Sequence, residues 1–174
     1  AGVGLAKDVL DTTIEDYEWI MGINFWGVIY GSKAFLPHLI ESGDGYLVNI
    51  SSVFGLFSVP GQSGYNAAKF AVRGFTEALR QEMLSAGHPV GVSCVHPGGV
   101  RTGIAASARS DQGTSQERDD AFKKVARTTP ASAARTIVRG VGRRQARILI
   151  GADAHAFDAM TRVLGSRYQG LVWR

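Results

Sequence analysis

Two residues in this chain are spaced to move a proton. Tyr65 and Lys69 are four apart, and on a helix that spacing makes them surface neighbours. A free tyrosine titrates near pH ~10 and is a poor acid or base at neutrality. A lysine ammonium beside it favours the phenolate and is expected to lower that pKa. A phenol tuned in this way can give a proton to a carbonyl oxygen or take one from an alcohol. Tyr-x-x-x-Lys alone is a common spacing that any half-exposed helix face can carry, so its context decides. Ser52 lies thirteen residues upstream, in Asn49-Ile50-Ser51-Ser52. Asn24 opens Asn24-Phe25-Trp26-Gly27, and Thr102 closes Pro97-Gly98-Gly99-Val100-Arg101-Thr102.

The elements needed to position these residues are legible in the pattern. Thr12 with Glu15 three places on reads as a capping box. It opens a helix through Ile14, Tyr17 and Ile20 that continues to about Glu41, with a kink expected near Gly22. Tyr46–Ile50 reads as a short buried strand, and a loop from Ser51 to Gly64 follows. Apolar positions at Ala68, Ala71, Val72, Phe75, Leu79 and Met83 make one helical stripe between about Tyr65 and Ala86. Val90–Val95 is the next strand, ending at Pro97-Gly98-Gly99. Residues 101–127 are polar and weakly periodic and predict a mobile loop with a short helix. Thr129-Pro130 starts a helix reaching about Arg143. Arg147–Ile150 reads as a last strand and Asp153–Leu164 as a last helix. Strands separated by long helices indicate an α/β fold, a doubly wound parallel sheet covered on both faces. Ligands in such sheets sit beyond the carboxyl ends of the strands. Ser51, Ser52 and the Pro97-Gly98 turn should therefore face one crevice.

With the serine, the Tyr-x-x-x-Lys helix, the upstream asparagine and the Pro-Gly-x-x-x-Thr turn in this order, residues 1–102 resemble the short-chain dehydrogenase/reductase family. The resemblance implies a Rossmann-like domain over residues 1–174 with 103–127 as a substrate lid. It implies an NAD(P)-dependent interconversion of an alcohol and a carbonyl, with NAD or NADP as cofactor. Tyr65 would be the general acid/base and would also contact the cofactor, and Lys69 would lower its pKa and bind the nicotinamide ribose. Ser52 would hold the substrate oxygen, and Asn24 would hold a water relaying protons between Lys69 and bulk solvent. Pro97, Gly98, the Val100 backbone and the Thr102 hydroxyl would lie against the nicotinamide. Ser51 would point the other way if strand alternation continues.

One family feature is missing from the sequence. Members carry Thr-Gly-x-x-x-Gly-x-Gly after their first strand, a cradle for the pyrophosphate. Neither Ala1-Gly2-Val3-Gly4 nor Gly140-Val141-Gly142 reproduces it. The chain is thus expected to be truncated at its N-terminal side relative to the family pattern and inactive in isolation. An alternative reading is a catalytically inactive fragment or relative acting as a helix-mediated interaction module.

Composition narrows the field further. Of 174 residues 45% are hydrophobic and 20% charged, as in globular domains. Residues 1–100 carry five Lys/Arg against nine Asp/Glu, while residues 101–174 carry fourteen against six. Those later arginines, such as Arg135, Arg139, Arg143, Arg144 and Arg147, are scattered through amphipathic segments. They read as solvated helix faces rather than a nucleic-acid surface, so no nucleic-acid partner is expected. Cys94, the one cysteine, sits in an apolar run and reads as a buried small hydrophobe. The four histidines form no metal-ligand pair, and no metal is expected; His96 either packs or borders the crevice. Gly61-Gln62-Ser63-Gly64 misses a hydrolase elbow by one residue. No apolar stretch approaches a bilayer span and no secretory leader is evident, so a cytoplasmic location without membrane contact is expected. Ala67, Phe70, Gly74 and Ala78 form a second helix edge suited to close helix contact. That edge points to a homo-oligomer through the 13–41 and 65–86 helices. Val53, Phe54, Leu56, Phe57 and Val59 after Ser52 predict an apolar substrate.

Overall fold

The computed structural model describes residues 2–172. From the N-terminus, β1 (Leu5–Ala6) leads to α1 (Ile14–Met21), a π-helical turn (Gly22–Trp26) and α2 (Gly27–Glu41). β2 (Gly45–Ile50), a 3-10 turn (Val53–Gly55), α3 (Ser63–Ser85) and β3 (Val90–Pro97) follow. The remainder comprises β4 (Arg109–Ser110), α4 (Ser115–Val125), α5 (Pro130–Gly142), β5 (Arg147–Ile150) and α6 (Ala152–Leu164). A second 3-10 turn (Gly165–Tyr168) and α7 (Gln169–Val172) come last.

β2, β3 and β5 form a parallel sheet in that spatial order, with Ile50 opposite Val95 and Val95 opposite Ile148. β3 lies in its middle and is buried from Val90 to His96, as a strand covered on both faces must be. Side-chain parity shows the two layers. Val92 packs with Leu79 and Met83 of α3, whereas Val95, three residues on, packs with Ala133 of α5 and Ile148 and Ile150 of β5. An odd separation on a strand reverses the face. The α3 stripe is buried at Ala68, Val72, Leu79 and Met83. Each large side chain in it contributes about 2 kcal/mol of hydrophobic stabilisation.

A third cluster joins Val53 and Phe57 to Ala154 of α6 and to Tyr168. A fourth joins Leu5 to Ile20 and Ala68. β1 and β4 make a separate short parallel pair, Leu5 opposite Arg109.

Four local expectations are sharpened. The α1 cap is Thr13, whose hydroxyl accepts from Asp16 N–H, while Thr12 donates to the Asp8 carbonyl. Both Thr12-x-x-Glu15 and Thr13-x-x-Asp16 fit a capping pattern, and the turn at Asp8 draws Thr12 away. The kink at Gly22 takes the form of the π-helical turn. α3 begins at Ser63, before Tyr65. Within residues 101–127 the expected short helix is the eleven-residue α4, opened by a full capping box between Thr114 and Glu117.

Candidate active site

Three of the expected side chains converge past the end of β2. Ser52 follows the strand in an extended conformation and caps the 3-10 turn, its hydroxyl accepting from Phe54 N–H at 3.1 Å. Tyr65, in the first turn of α3, brings its phenol near that hydroxyl. The Lys69 ammonium lies 5.6 Å from the Tyr65 ring centroid. Ser51 is directed elsewhere, as alternation requires: its hydroxyl donates to the Lys69 backbone carbonyl at 2.8 Å. Gly55 makes this packing possible, since a Cβ there would collide with the Ser51 hydroxyl.

The electrostatics of the pair differ from the expectation. Burial pushes the Tyr65 phenol above its ordinary value, and the Ser52 hydroxyl offsets part of that rise. Lys69 does not lower it here, because its ammonium donates to the Ile50 carbonyl at 3.2 Å instead. Burial brings the Lys69 pKa down to about 8, with Cys94 opposing the shift. The Cys94 thiol itself is pushed up to about 12 by burial, which makes it inert.

Asn24 is in the π-helical turn and 2% exposed. Its amide nitrogen donates to the Val3 carbonyl at 2.8 Å and its amide oxygen accepts from Val3 N–H at 2.9 Å. The side chain thus clamps the segment leading into β1. A water at this residue would have to be held by its backbone.

The 97–102 turn leaves the end of β3, next to Ser52. Gly98 N–H donates to the Ile150 carbonyl at 2.9 Å, and Gly99 N–H to the Asp153 carboxylate at 2.7 Å. A Cβ on Gly98 would strike that carboxylate. Val100 pairs with Thr128, but the bonds are made by the Gly99 carbonyl and Arg101 N–H. The peptide groups of Val100 itself stay outside the bridge. Thr102 is exposed.

Much of the apolar run after Ser52 is packed into the core. Val53, Leu56 and Phe57 are buried in the core, with Phe57 stacked on Phe157 of α6. Phe54 alone of the group sets its ring edge-on to Tyr65, 6.1 Å between centroids. Of the basic residues, Arg135, Arg139, Arg143 and Arg144 are exposed. Arg147 instead bridges Glu77 at 2.7 Å and Asp158 at 2.8 Å. Among the described residues no three His, Cys, Asp or Glu side chains gather as a metal site.

Two groupings escaped the sequence reading. Buried Asp16 accepts from Arg109 at 3.0 Å and pairs with Lys7 at 3.1 Å, and Arg109 stacks on Trp19 at 3.8 Å. These contacts fasten residues 109–111 to α1, across 93 positions in sequence. Arg118 donates to the carbonyls of Ala105, Ala108, Gln112 and Gly113, gathering the segment before α4 around one guanidinium. Thr114-x-x-Glu117 was a readable signal for the helix that carries Arg118.

Known proteins share this arrangement of chain. The short chain dehydrogenase family model matches residues 1–113. "Putative oxidoreductase SadH" of Mycobacterium tuberculosis is 55% identical over 99% of this chain and 63% of its own length. "Dehydrogenase/reductase SDR family member 7B" of Xenopus tropicalis is 33% identical over 86% of this chain and 48% of its own length. A short-chain dehydrogenase/reductase from Burkholderia phymatum, solved in complex with NAD, superposes with a TM-score of 0.81 at 27% identity. That match covers 100% of this chain and 66% of the other. The chain therefore spans just under two thirds of these bacterial relatives. With the parallel sheet, the buried Ser52 beside Tyr65 and Lys69, and the family match over most of its length, the chain belongs to the short-chain dehydrogenase/reductase family.

Proposed function

We propose that the protein is an NAD(P)-dependent oxidoreductase that interconverts an alcohol and a carbonyl, acting on an apolar substrate. The observation that carries this reading is the convergence of the Ser52 hydroxyl, the Tyr65 phenol and the Lys69 ammonium past the end of β2. Ser52 Oγ holds the substrate oxygen and fixes its carbon in place. Tyr65, a phenol whose pKa burial raises above its ordinary value, gives its proton to that oxygen in reduction and recovers it in oxidation. Lys69 restores the proton and binds the nicotinamide ribose. Asn24, its side chain already bound to Val3, contributes through its backbone to the water relay.

The residues present fit the nicotinamide end of the cofactor. Val100 keeps its peptide groups outside the Thr128 bridge, and the Thr102 hydroxyl is exposed, so both are available to a carboxamide. Pro97 and Gly98 supply the backbone beside them. When bound, the nicotinamide supplies or accepts the hydride. The family member from Burkholderia phymatum solved with NAD supports a cofactor of this class. Phe54, edge-on to Tyr65, supports an apolar substrate. Residues 103–127, gathered by Arg118 and fastened through Arg109, are read as the substrate lid.

The protein is further read as a homo-oligomer. Ala67, Phe70, Gly74 and Ala78 of α3 are all exposed. Trp26 and Tyr30, stacked on each other on the π-turn and α2, are 47% and 66% exposed. Such an apolar face is suited to burial against a second copy. The test of function is loss of reduced-nicotinamide absorbance when the full-length gene product meets a panel of apolar aldehydes and ketones. Turnover with at least one of them is expected; a null result across the panel with both NADH and NADPH contradicts the reading.

A further inference from the structure

His96 stands near the end of β3 with 0% of its surface exposed. Its Nδ1 lies 2.9 Å from the backbone carbonyl oxygen of Ser52. A carbonyl has no proton to give, so the hydrogen in that contact belongs to Nδ1. Nε2 is buried and has no hydrogen-bond partner among the described residues. A second proton there would create an imidazolium with one N–H unpaired in the interior, an expensive arrangement. Burial accordingly brings the His96 pKa down to about 4, although the Ser52 contact opposes the shift.

The bond is also well placed to control a turn. Ser51 N–H donates to the Val95 carbonyl at 2.8 Å, continuing the ladder between β2 and β3. His96 supplies the next anchor, one residue nearer the site. Within the turn, Gly55 N–H donates to the same Ser52 carbonyl at 3.0 Å and Phe54 N–H to Ser52 Oγ at 3.1 Å. Those two bonds close the turn on itself. The imidazole ties it to the neighbouring strand, joining residues 44 apart in sequence.

We propose that His96 is a positioning residue for Ser52: a neutral, Nδ1-protonated imidazole whose bond to the Ser52 carbonyl sets the orientation from which Oγ faces Tyr65. The proposal rests on reading Ser52 as the group that holds the substrate oxygen. Its main consequence is that loss of the donor lowers the rate of the chemical step and leaves cofactor binding alone.

Two measurements on the full-length gene product test it. Nitrogen NMR of labelled histidine reads the tautomer directly and needs no turnover, so it is independent of the oxidoreductase reading. A single His96 signal set with hydrogen on Nδ1, unchanged from about pH 8 to about pH 5.5, is expected from a group titrating near 4. Hydrogen on Nε2, or titration within that range, overturns the proposal. The second measurement is kinetic. His96→Asn can place its amide nitrogen where Nδ1 stands and is expected to keep kcat within about threefold, whereas His96→Leu loses about thirtyfold with the cofactor KM unchanged. Equal losses in the two variants, or a cofactor KM rising in step with the loss, overturn it. If His96→Leu does not fold, the tautomer and the His96→Asn rate decide the matter.

Discussion

Replacing Asn24 should cost stability before it costs anything else. The carboxamide is 2% exposed and makes two bonds to one residue, donating to the Val3 carbonyl at 2.8 Å and accepting from Val3 N–H at 2.9 Å. Leucine has nearly the same shape and can make neither bond. Each bond contributes about 1 kcal/mol net, and leaving the half-buried Val3 groups without partners adds a desolvation penalty of similar size. The expected loss for Asn24→Leu is about 3 kcal/mol. Asn24→Asp should fare no better: its carboxylate can accept from Val3 N–H but sets an oxygen against the Val3 carbonyl. The assay is equilibrium urea unfolding followed by tryptophan fluorescence, with the denaturant slope compared between variants. A drop in midpoint at unchanged slope supports the clamp. A loss under about 1 kcal/mol for Asn24→Leu would refute the reasoning, because the two bonds would then matter no more than solvent contacts.

Other outcomes follow from the same contacts. Lys69 titrates near 8 in the folded protein against 10.5 for the free side chain. Between those values the unfolded chain binds a proton that the folded chain does not, so this group makes stability rise with pH. The rise amounts to about 3 kcal/mol, and comparing the wild type with Lys69→Met from pH 7 to pH ~10.5 isolates it; parallel curves would contradict it. Breaking the fastening at α1 by Asp16→Asn should speed amide exchange at Arg109 and Ser110 without altering exchange in β3; uniform acceleration would refute a local effect. Arg118→Ala should likewise raise exchange and protease cleavage across 103–113 while leaving the sheet protected, and an unchanged cleavage pattern would show that its carbonyl contacts are dispensable.

The convergence of Ser52, Tyr65 and Lys69 was legible because local spacing carries it. Tyr65 and Lys69 share a helix face, and Ser52 follows a strand whose apolar pattern stops one residue before Ser51. The parallel sheet was equally legible, since its strands and covering helices have distinct periodicities. Two things were hidden by distance along the chain. The Asp16–Arg109 and His96–Ser52 contacts join residues 93 and 44 positions apart, and no local pattern announces such pairs. The sign of the Tyr65 shift was also hidden. It depends on where the Lys69 ammonium points, and that is set by the Ile50 carbonyl rather than by helix spacing. The short helix expected within 101–127 could not be bounded for another reason: α4 has no buried residue, so the apolar stripe used to delimit helices is absent and only its capping box marks its start.

The most direct test of the central claim is Tyr65→Phe in the full-length gene product, assayed for nicotinamide-dependent turnover and, separately, for cofactor affinity. The substitution removes one oxygen and keeps the ring that meets Phe54. The expected result is a fall in kcat of about a thousandfold, with cofactor affinity within about twofold of the wild type. Turnover within about tenfold of the wild type would contradict it, and would mean that the proton comes from another group.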